Sequence, residues 1–259
     1  MKPNIAPSLK KHLPTLLEAQ KNKLNEADTS VRVLRIFEQV LGYDALKDIS
    51  HETPVKYRYS DLAIKIESQT AFLVEVKAAA VKLSLRFVDQ GNWYAANTNI
   101  KWVLLTNGVD WNLYHLTWDQ ALGIKSDLVF AVTLASETLA RCADTLAILH
   151  RTSVKNGGHE AFWRKKNALN PASLGHMLFS EDVIRFLRRK VWQREKVTVE
   201  MEDVAEAIQS LFSDDAKQKI GPAKIRRLKP LSPVKSDPPA DAPPVPLQST
   251  DGTQTESAV

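Results

Sequence analysis

The chain has 259 residues, of which 44% are hydrophobic and 25% are charged, and its formal net charge is +5 at pH 7. This is the composition of an ordinary globular protein, and its apolar stretches fall short of the roughly 20 residues that a membrane-spanning helix needs. The sequence shows no secretory signal, and its one cysteine, Cys142, excludes a disulfide framework and a multi-cysteine zinc site, so a cytoplasmic protein is expected.

Two helices and a β-hairpin are predicted in the first part of the chain. Leucines at helical spacing predict a helix over residues 8–24, and a second apolar stripe predicts a helix over residues 26–41. Residues 61–67 alternate with a period of two, and residues 71–77 are more apolar, which is typical of a central strand. The short turn at 68–70 would fold one strand back onto the other.

The next elements complete an α/β pattern. A helix is predicted over residues 84–98, a buried strand over 101–106, its hairpin partner over 110–116 and an edge strand over 127–134. An amphipathic helix over residues 137–150 follows. This order predicts a mixed β-sheet flanked by helices, an α/β fold.

Composition changes along the chain predict its division into domains. Residues 1–152 would form the α/β domain, and the glycines within residues 153–158 resemble a linker. Residues 159–228 read as a C-terminal helical subdomain. Residues 230–259 are rich in Pro, Ser, Asp and Gln, which predicts a disordered tail.

Charged residues of the hairpin form the first candidate site. Glu75 and Lys77 are two positions apart on one strand and therefore share a face, and the turn would bring Asp61 close to both. Neighbouring carboxylates repel each other unless a cation joins them, and Mg²⁺ binds carboxylate oxygens together with waters and phosphate oxygens. With a lysine to hold the attacking water, and Gln90 on the following helix, the set suits metal-assisted phosphodiester hydrolysis.

A purely structural explanation of the same charges stays open. Glu75 and Lys77 interrupt an otherwise apolar strand, where charged groups are costly unless they are paired or bound to metal. An internal Glu–Lys ion pair would satisfy that requirement without catalysis. The presence of Asp61 upstream and Gln90 downstream favours the functional interpretation.

The motifs together resemble a known nuclease family. Asp61, the hairpin, Glu75-Val76-Lys77 and the Gln90-x-x-x-Tyr94 spacing are similar to the PD-(D/E)XK nuclease fold, and in particular to the N-terminal nuclease domain of type I restriction enzyme R subunits. The resemblance covers roughly residues 20–120. Its other matching segments are Asn25-Glu26-Ala27-Asp28, Leu41-Gly42-Tyr43-Asp44, residues 101–108 and Trp111-Asn112-Leu113-Tyr114.

This resemblance implies a role for each motif residue and a restriction-endonuclease-like fold. Asp61 and Glu75 would bind Mg²⁺, with Mn²⁺ as the alternative, and Lys77 would position the water. Gln90 and Tyr94 would orient the scissile strand or the lysine.

Two positions qualify the comparison. Glu26 would complete the metal site directly or through water, although a solvated carboxylate that stabilises a helix N-terminus is an equally good interpretation. The family's name implies a proline before the aspartate, and this chain has Ser60 there.

An ATP-driven motor is not predicted. Type I R subunits carry one after the nuclease domain, but this sequence contains no Gly-x-x-x-x-Gly-Lys-Ser/Thr loop. A separate methylase, specificity or motor subunit is therefore a candidate partner. A homodimer would let one site per chain cut both DNA strands.

A basic segment near residue 190 is a candidate DNA-binding surface. Arg185, Arg188 and Arg189 share a helix face, with Trp192 one turn further along. The alternative is a solvated helix face with Trp192 and Leu187 in the core.

The leading hypothesis from the sequence is a Mg²⁺-dependent deoxyribonuclease, an endonuclease of restriction, defence or DNA processing. The alternative is a non-catalytic nucleic-acid-binding or adaptor protein with the same fold. RNA is the second candidate substrate.

Overall fold

The computed structural model describes residues 3–55, 58–88, 100–119 and 123–227. The chain divides into two compact units, Met1–Leu174 and Gly175–Val259. Within the described residues, no helix is both long and apolar enough to cross a membrane.

A six-stranded sheet forms the centre of the first unit. Its strands, which follow one another across the sheet in chain order, are β1 (Ile49–Val55), β2 (Arg58–Ile66), β3 (Gln69–Val76), β4 (Trp102–Thr106), β5 (Asp110–Asp119) and β6 (Gly123–Thr133). Neighbouring strands are antiparallel except for β3 and β4, which run parallel. The sheet therefore consists of two three-stranded meanders joined through one parallel pair.

Helices flank this sheet. They are α1 (Ala6–Lys21), α2 (Glu26–Gln39), α3 (Leu139–Leu146), α4 (Arg151–Lys155) and α5 (Gly158–Ala168), with 3₁₀ turns at Leu85–Phe87 and Ala147–Leu149. The mixed sheet with flanking helices confirms the predicted α/β fold class.

The sheet is buried on both faces. On one face Phe37 of α2 lies between Phe72 of β3 and Trp111 of β5, with ring centroids 6.1 Å from it in each case. Burying a side chain of this size contributes roughly 1.5–3 kcal/mol to folding. On the other face a smaller apolar cluster contains Ala63, Leu73, Val88, Val103, Leu105, Tyr114 and Leu116. Since the residues of one strand alternate between these faces, polar groups on β3 have little access to water.

The second unit has its own small core. Its helices are α7 (Glu181–Glu195), α8 (Met201–Ser210) and α9 (Asp214–Ile220), while α6 (Pro171–Leu178) spans the boundary between the units. Phe179, Ile184, Val204, Ala205 and Ile220 are buried together. Gly175 is needed there, because a Cβ at that position would lie 2.4 Å from the Ile220 side chain.

Most predicted elements are present, but one strand was missed and one segment was misinterpreted. The missed strand is β1. The predicted linker over residues 153–158 is wrong, because α4 ends and α5 begins there, and α5 packs on the first unit's core through Phe162 and Trp163. Of the predicted helix over 84–98, residues 89–98 lie outside the described residues, as does the predicted tail.

Candidate active site

The register of β2 and β3 brings two acidic residues together. Leu62 lies opposite Val74, so the next pair in the same register is Asp61 opposite Glu75. The Asp61 Oδ2 atom accepts a hydrogen bond of 2.6 Å from the backbone N–H of Val76. The aspartate carboxylate is thus fastened to β3 between Glu75 and Lys77.

Glu75 and Lys77 form a buried ion pair at the end of β3. Lys77 Nζ lies 2.7 Å from Glu75 Oε1, and the two side chains are only 12% and 8% exposed. The backbone N–H of Lys77 donates to the carbonyl of Thr106 at 2.8 Å, which holds this end of the strand against β4. The pair therefore lies where β3 is hydrogen-bonded to its parallel neighbour.

The start of α2 brings a third carboxylate to this pair. Glu26 Oε2 is 3.6 Å from Lys77 Nζ, and the Glu26 side chain is half exposed. The helix begins here because Asn25 caps it by accepting a hydrogen bond from the N–H of Asp28. Glu26 therefore lies in the first turn of a helix, as the structural interpretation expects, and also contacts the site lysine. Its role in a metal site stays a prediction.

The local charges shift the pKa values of the buried pair. Burial, and then the negative charge of Asp61, raise the pKa of Glu75 to about 7, against the opposing effect of its hydrogen bond from Lys77. Burial lowers the pKa of Lys77, but the hydrogen bond to Glu75 and the surrounding carboxylates outweigh it and raise this pKa overall. Lys77 is therefore protonated at neutral pH, which suits a hydrogen-bond donor better than a general base.

The carboxylates are suited to a divalent cation. Asp61, Glu75 and Glu26 outnumber the single ammonium of Lys77, and Asp61 and Glu75 are adjacent in the sheet register. Mg²⁺ is commonly held by one or two carboxylates, with waters and substrate phosphate oxygens completing its shell. In the part of the chain that the structure describes, no three or more His, Cys, Asp or Glu side chains are arranged to hold a metal. Asp61 and Glu75, adjacent in the register, are the two carboxylates that could hold such a cation.

One site neighbour was not anticipated from the sequence. The Lys77 ammonium lies 5.6 Å from the ring centroid of Phe87, within range of a cation–π interaction. Phe87 belongs to the 3₁₀ turn that follows β3. Its position early in the predicted helix was the only feature of the sequence that could have indicated this contact. Gln90 and Tyr94 lie outside the described residues.

A known family matches the segment that carries these residues. Residues 29–125 match the family described as the type I restriction enzyme R protein N terminus. The chain carries a restriction-nuclease-like domain. The matched segment contains Asp61, Glu75 and Lys77 and begins three residues after Glu26.

Among solved structures, the chain is similar to the type IIG restriction endonuclease BpuSI, with a TM-score of 0.34 and 14% sequence identity. The alignment covers 78% of this chain and 27% of that one, so this chain spans about a quarter of that enzyme's length. No curated protein matches the sequence.

The predicted DNA-binding arginines lie outside the restriction-nuclease-like domain, on α7 of the second unit. Arg185, Arg188 and Arg189 are exposed and line one groove, so the predicted shared face is confirmed. Arg185 forms an ion pair with Glu181 one turn earlier. The alternative that placed Trp192 in the core is wrong, because 53% of that residue is exposed.

Proposed function

We propose that this chain is a metal-dependent endonuclease that hydrolyses DNA phosphodiester bonds in restriction, another defence process or DNA processing. The supporting observation is the buried Lys77–Glu75 pair, 2.7 Å apart, beside the carboxylate of Asp61. Buried charges are costly in a sheet, and a structural ion pair alone would not need the additional carboxylate, which raises the pKa of Glu75.

Each residue of the site has a distinct task in this proposal. Mg²⁺ or Mn²⁺, held by Asp61 and Glu75, would acidify a bound water and offset the charge that develops on the phosphate. Asp61 keeps its orientation through the hydrogen bond from Val76. Lys77, fixed by Glu75 and protonated, donates hydrogen bonds to the attacking water or to a phosphate oxygen.

Three further residues have supporting tasks. Glu26 lies 3.6 Å from Lys77 and would orient the ammonium or a water at the site. Gln90 and Tyr94 would orient the scissile strand or the lysine, a role that rests on the family resemblance alone.

The proposed biological setting is a cytoplasmic enzyme that acts on DNA with a partner. The partner would be a separate methylase, specificity or motor subunit. Because one chain has one site, a second copy of this chain would provide the second site needed to cut both DNA strands. Restriction enzymes of the matched family are the reason to propose DNA as the substrate.

A plasmid-nicking assay with matched variants tests this function. Purified protein is incubated with supercoiled plasmid and Mg²⁺ or Mn²⁺, beside the variants Asp61→Asn and Lys77→Met. Losing a charged group that acts on the reacting atoms is expected to slow nicking about 100-fold or more. The control is Lys125→Ala, which removes a lysine whose side chain is 68% exposed in a surface ion pair.

The non-catalytic alternative has a separate signature. The exposed arginines of α7 favour nucleic-acid binding whether or not the first unit cleaves. A binding protein would retain DNA in a salt-sensitive way without a metal requirement, and nicking would be equal in wild type and site variants. Single-stranded RNA in the same assay tests the other substrate.

A further inference from the structure

Two aromatic rings lie exposed on α7. Phe186 is 47% exposed and Trp192 is 53% exposed. Among the residues whose side chains the structure describes, no other Phe, Tyr or Trp ring is exposed to this extent. Exposed rings on a small helical unit point to an interaction surface, because burying them in the core would otherwise stabilise the fold.

The helical repeat sets these rings on a face of their own. Phe186, Arg189 and Trp192 follow one another at spacings of three residues, so they form one stripe along the helix. Ile184 and Leu187 point to the opposite side and pack in the core of the second unit. The stripe is therefore available for a ligand without any change in the core.

A groove runs along this stripe. Its volume is about 550 Å³, and Thr198 and Val199, from the segment after α7, form part of its wall. That volume lies within the roughly 300–1,000 Å³ typical of ligand sites. The lining of the groove combines two aromatic rings with three arginines.

Cations surround both rings. Arg189 and Lys190 lie 5.9 Å and 5.6 Å from the ring centroid of Phe186, and Lys196 lies 5.2 Å from that of Trp192. Within the described residues, Arg188, Arg189, Lys190 and Lys196 have no carboxylate within ion-pairing distance. Of the groove's charged lining residues, Asp182 and Arg185 belong to the first turns of the helix, where Arg185 is paired with Glu181. Arg188 and Arg189 line the rest of the groove, with Lys190 and Lys196 beside its two rings, so this part carries positive charge and suits an anionic ligand.

We propose that this groove binds single-stranded DNA, with bases stacked on Phe186 and Trp192 and phosphates neutralised by Arg188, Arg189 and Lys190. An acidic peptide would satisfy the cations but would leave the two ring faces without matching planar groups. In a duplex, base faces are covered by neighbouring base pairs, so exposed rings select unpaired bases. The choice of DNA over RNA rests on the proposed nuclease function, which this site would serve by holding an unpaired segment of the substrate.

Binding of a labelled oligonucleotide tests the site. The full chain is titrated, with EDTA present, into a fluorescein-labelled mixed-sequence strand of about 20 nucleotides, longer than the site of one stacking module. Trp192→Ala is expected to weaken binding roughly tenfold, and Trp192→Phe, which keeps a ring, is expected to restore most of it. Leu211→Ala, at a position 82% exposed in the same unit, is the control and should leave the affinity unchanged.

Salt dependence separates the role of the arginines from that of the rings. The double variant Arg188→Ala/Arg189→Ala is expected to reduce the slope of log affinity against log salt by about 1.4, since each contact to a single strand contributes roughly 0.7. Trp192→Ala should leave this slope unchanged. Slopes that change equally in both variants would overturn the division of roles.

The proposal and the nuclease function can fail separately. Equal binding of duplex and single strand, tighter binding of RNA, or no effect of Trp192→Ala and Phe186→Ala would overturn the groove proposal, whatever the plasmid assay gives. Conversely, ring-dependent binding of single-stranded DNA supports it even where Asp61→Asn and wild type nick plasmid equally.

Discussion

The carboxylate of Asp61 accepts a hydrogen bond of 2.6 Å from the backbone N–H of Val76, the residue between Glu75 and Lys77. The contact bridges β2 and β3 beyond Leu62↔Val74, their last paired positions. The Asp61 side chain is thus oriented by a main-chain hydrogen bond. The side-chain oxygen of an asparagine at position 61 would accept the same hydrogen bond without carrying a charge.

We expect Asp61→Asn to abolish metal-dependent cleavage and to stabilise the metal-free protein. The pKa of Glu75 is raised to about 7, partly by Asp61. A raised carboxyl pKa contributes stability at low pH that is lost as pH rises through the folded value, so the gain should appear above pH 7. We expect about 1 kcal/mol at about pH 8, measured by urea unfolding in EDTA. A variant less stable than wild type under these conditions would contradict the assigned repulsion.

Divalent cations should stabilise the wild type more than the site variant. A ligand that binds only the folded state at ten times its dissociation constant adds about 1.4 kcal/mol by mass action. The melting temperature in Mg²⁺ or Mn²⁺, compared with EDTA, should therefore rise for wild type and much less for Asp61→Asn. Glu67→Gln, which alters a carboxylate 68% exposed, should behave like wild type. An equal rise in melting temperature in all three proteins would show that the cation binds away from Asp61.

Acid should destabilise the packing of α5 on the sheet. His115 stacks on Trp163 with ring centroids 4.9 Å apart, His159 meets Trp102 at 4.9 Å, and burial lowers the pKa of both histidines. A histidine with a lowered pKa gives stability that is present above the unfolded value of about 6.5 and lost as pH falls through the folded value. His115→Phe should flatten the pH dependence of the free energy of unfolding below pH 6.5, and an unchanged profile would exclude His115 as its source.

The Asp48–Arg151 pair should matter more than surface ion pairs. Asp48 is 4% exposed and receives hydrogen bonds of 2.6 Å and 3.3 Å from the Arg151 guanidinium, whose side-chain hydrogen bond lowers the pKa of Asp48. Arg151→Ala would leave a buried carboxylate unpaired and is expected to cost about 3 kcal/mol in thermal or urea unfolding. Arg141→Ala breaks a pair whose arginine side chain is 72% exposed and should cost under about 1 kcal/mol. Similar losses in both variants would contradict this ranking.

The sheet and the site triad could be predicted because both follow from a period of two. Alternation in residues 61–67 and the apolar run before Glu75 fix which side chains share a face. Strand β1 escaped prediction because Pro54 and several polar residues interrupt any alternation, as is common at a sheet edge. Its strand state comes from pairing with β2, a tertiary contact that no local pattern encodes.

At Gly157 and Gly158, by contrast, a local sequence pattern predicted a linker where the structure has a helix start. They are typical of a linker, yet Gly157, with φ of 68°, is the N-cap residue of α5, and a Cβ on Gly158 would lie 2.4 Å from Ser153 Oγ. These glycines serve a tight turn between packed helices. Likewise, the sequence pattern could not decide whether Trp192 is buried, since both faces of α7 carry apolar residues at helical spacing.

The parallel pairing of β3 and β4 has a consequence for folding. Each three-stranded meander can form from neighbouring segments of the chain, but Glu75 meets Leu105 only after the 25 residues between β3 and β4 have closed. Contacts between segments distant in sequence carry a loop-closure cost and form slowly. Since Glu75 and Lys77 lie beside this parallel pair, we expect the cluster of Asp61, Glu75 and Lys77 to assemble among the last parts of the first unit, after both halves of the sheet are in place.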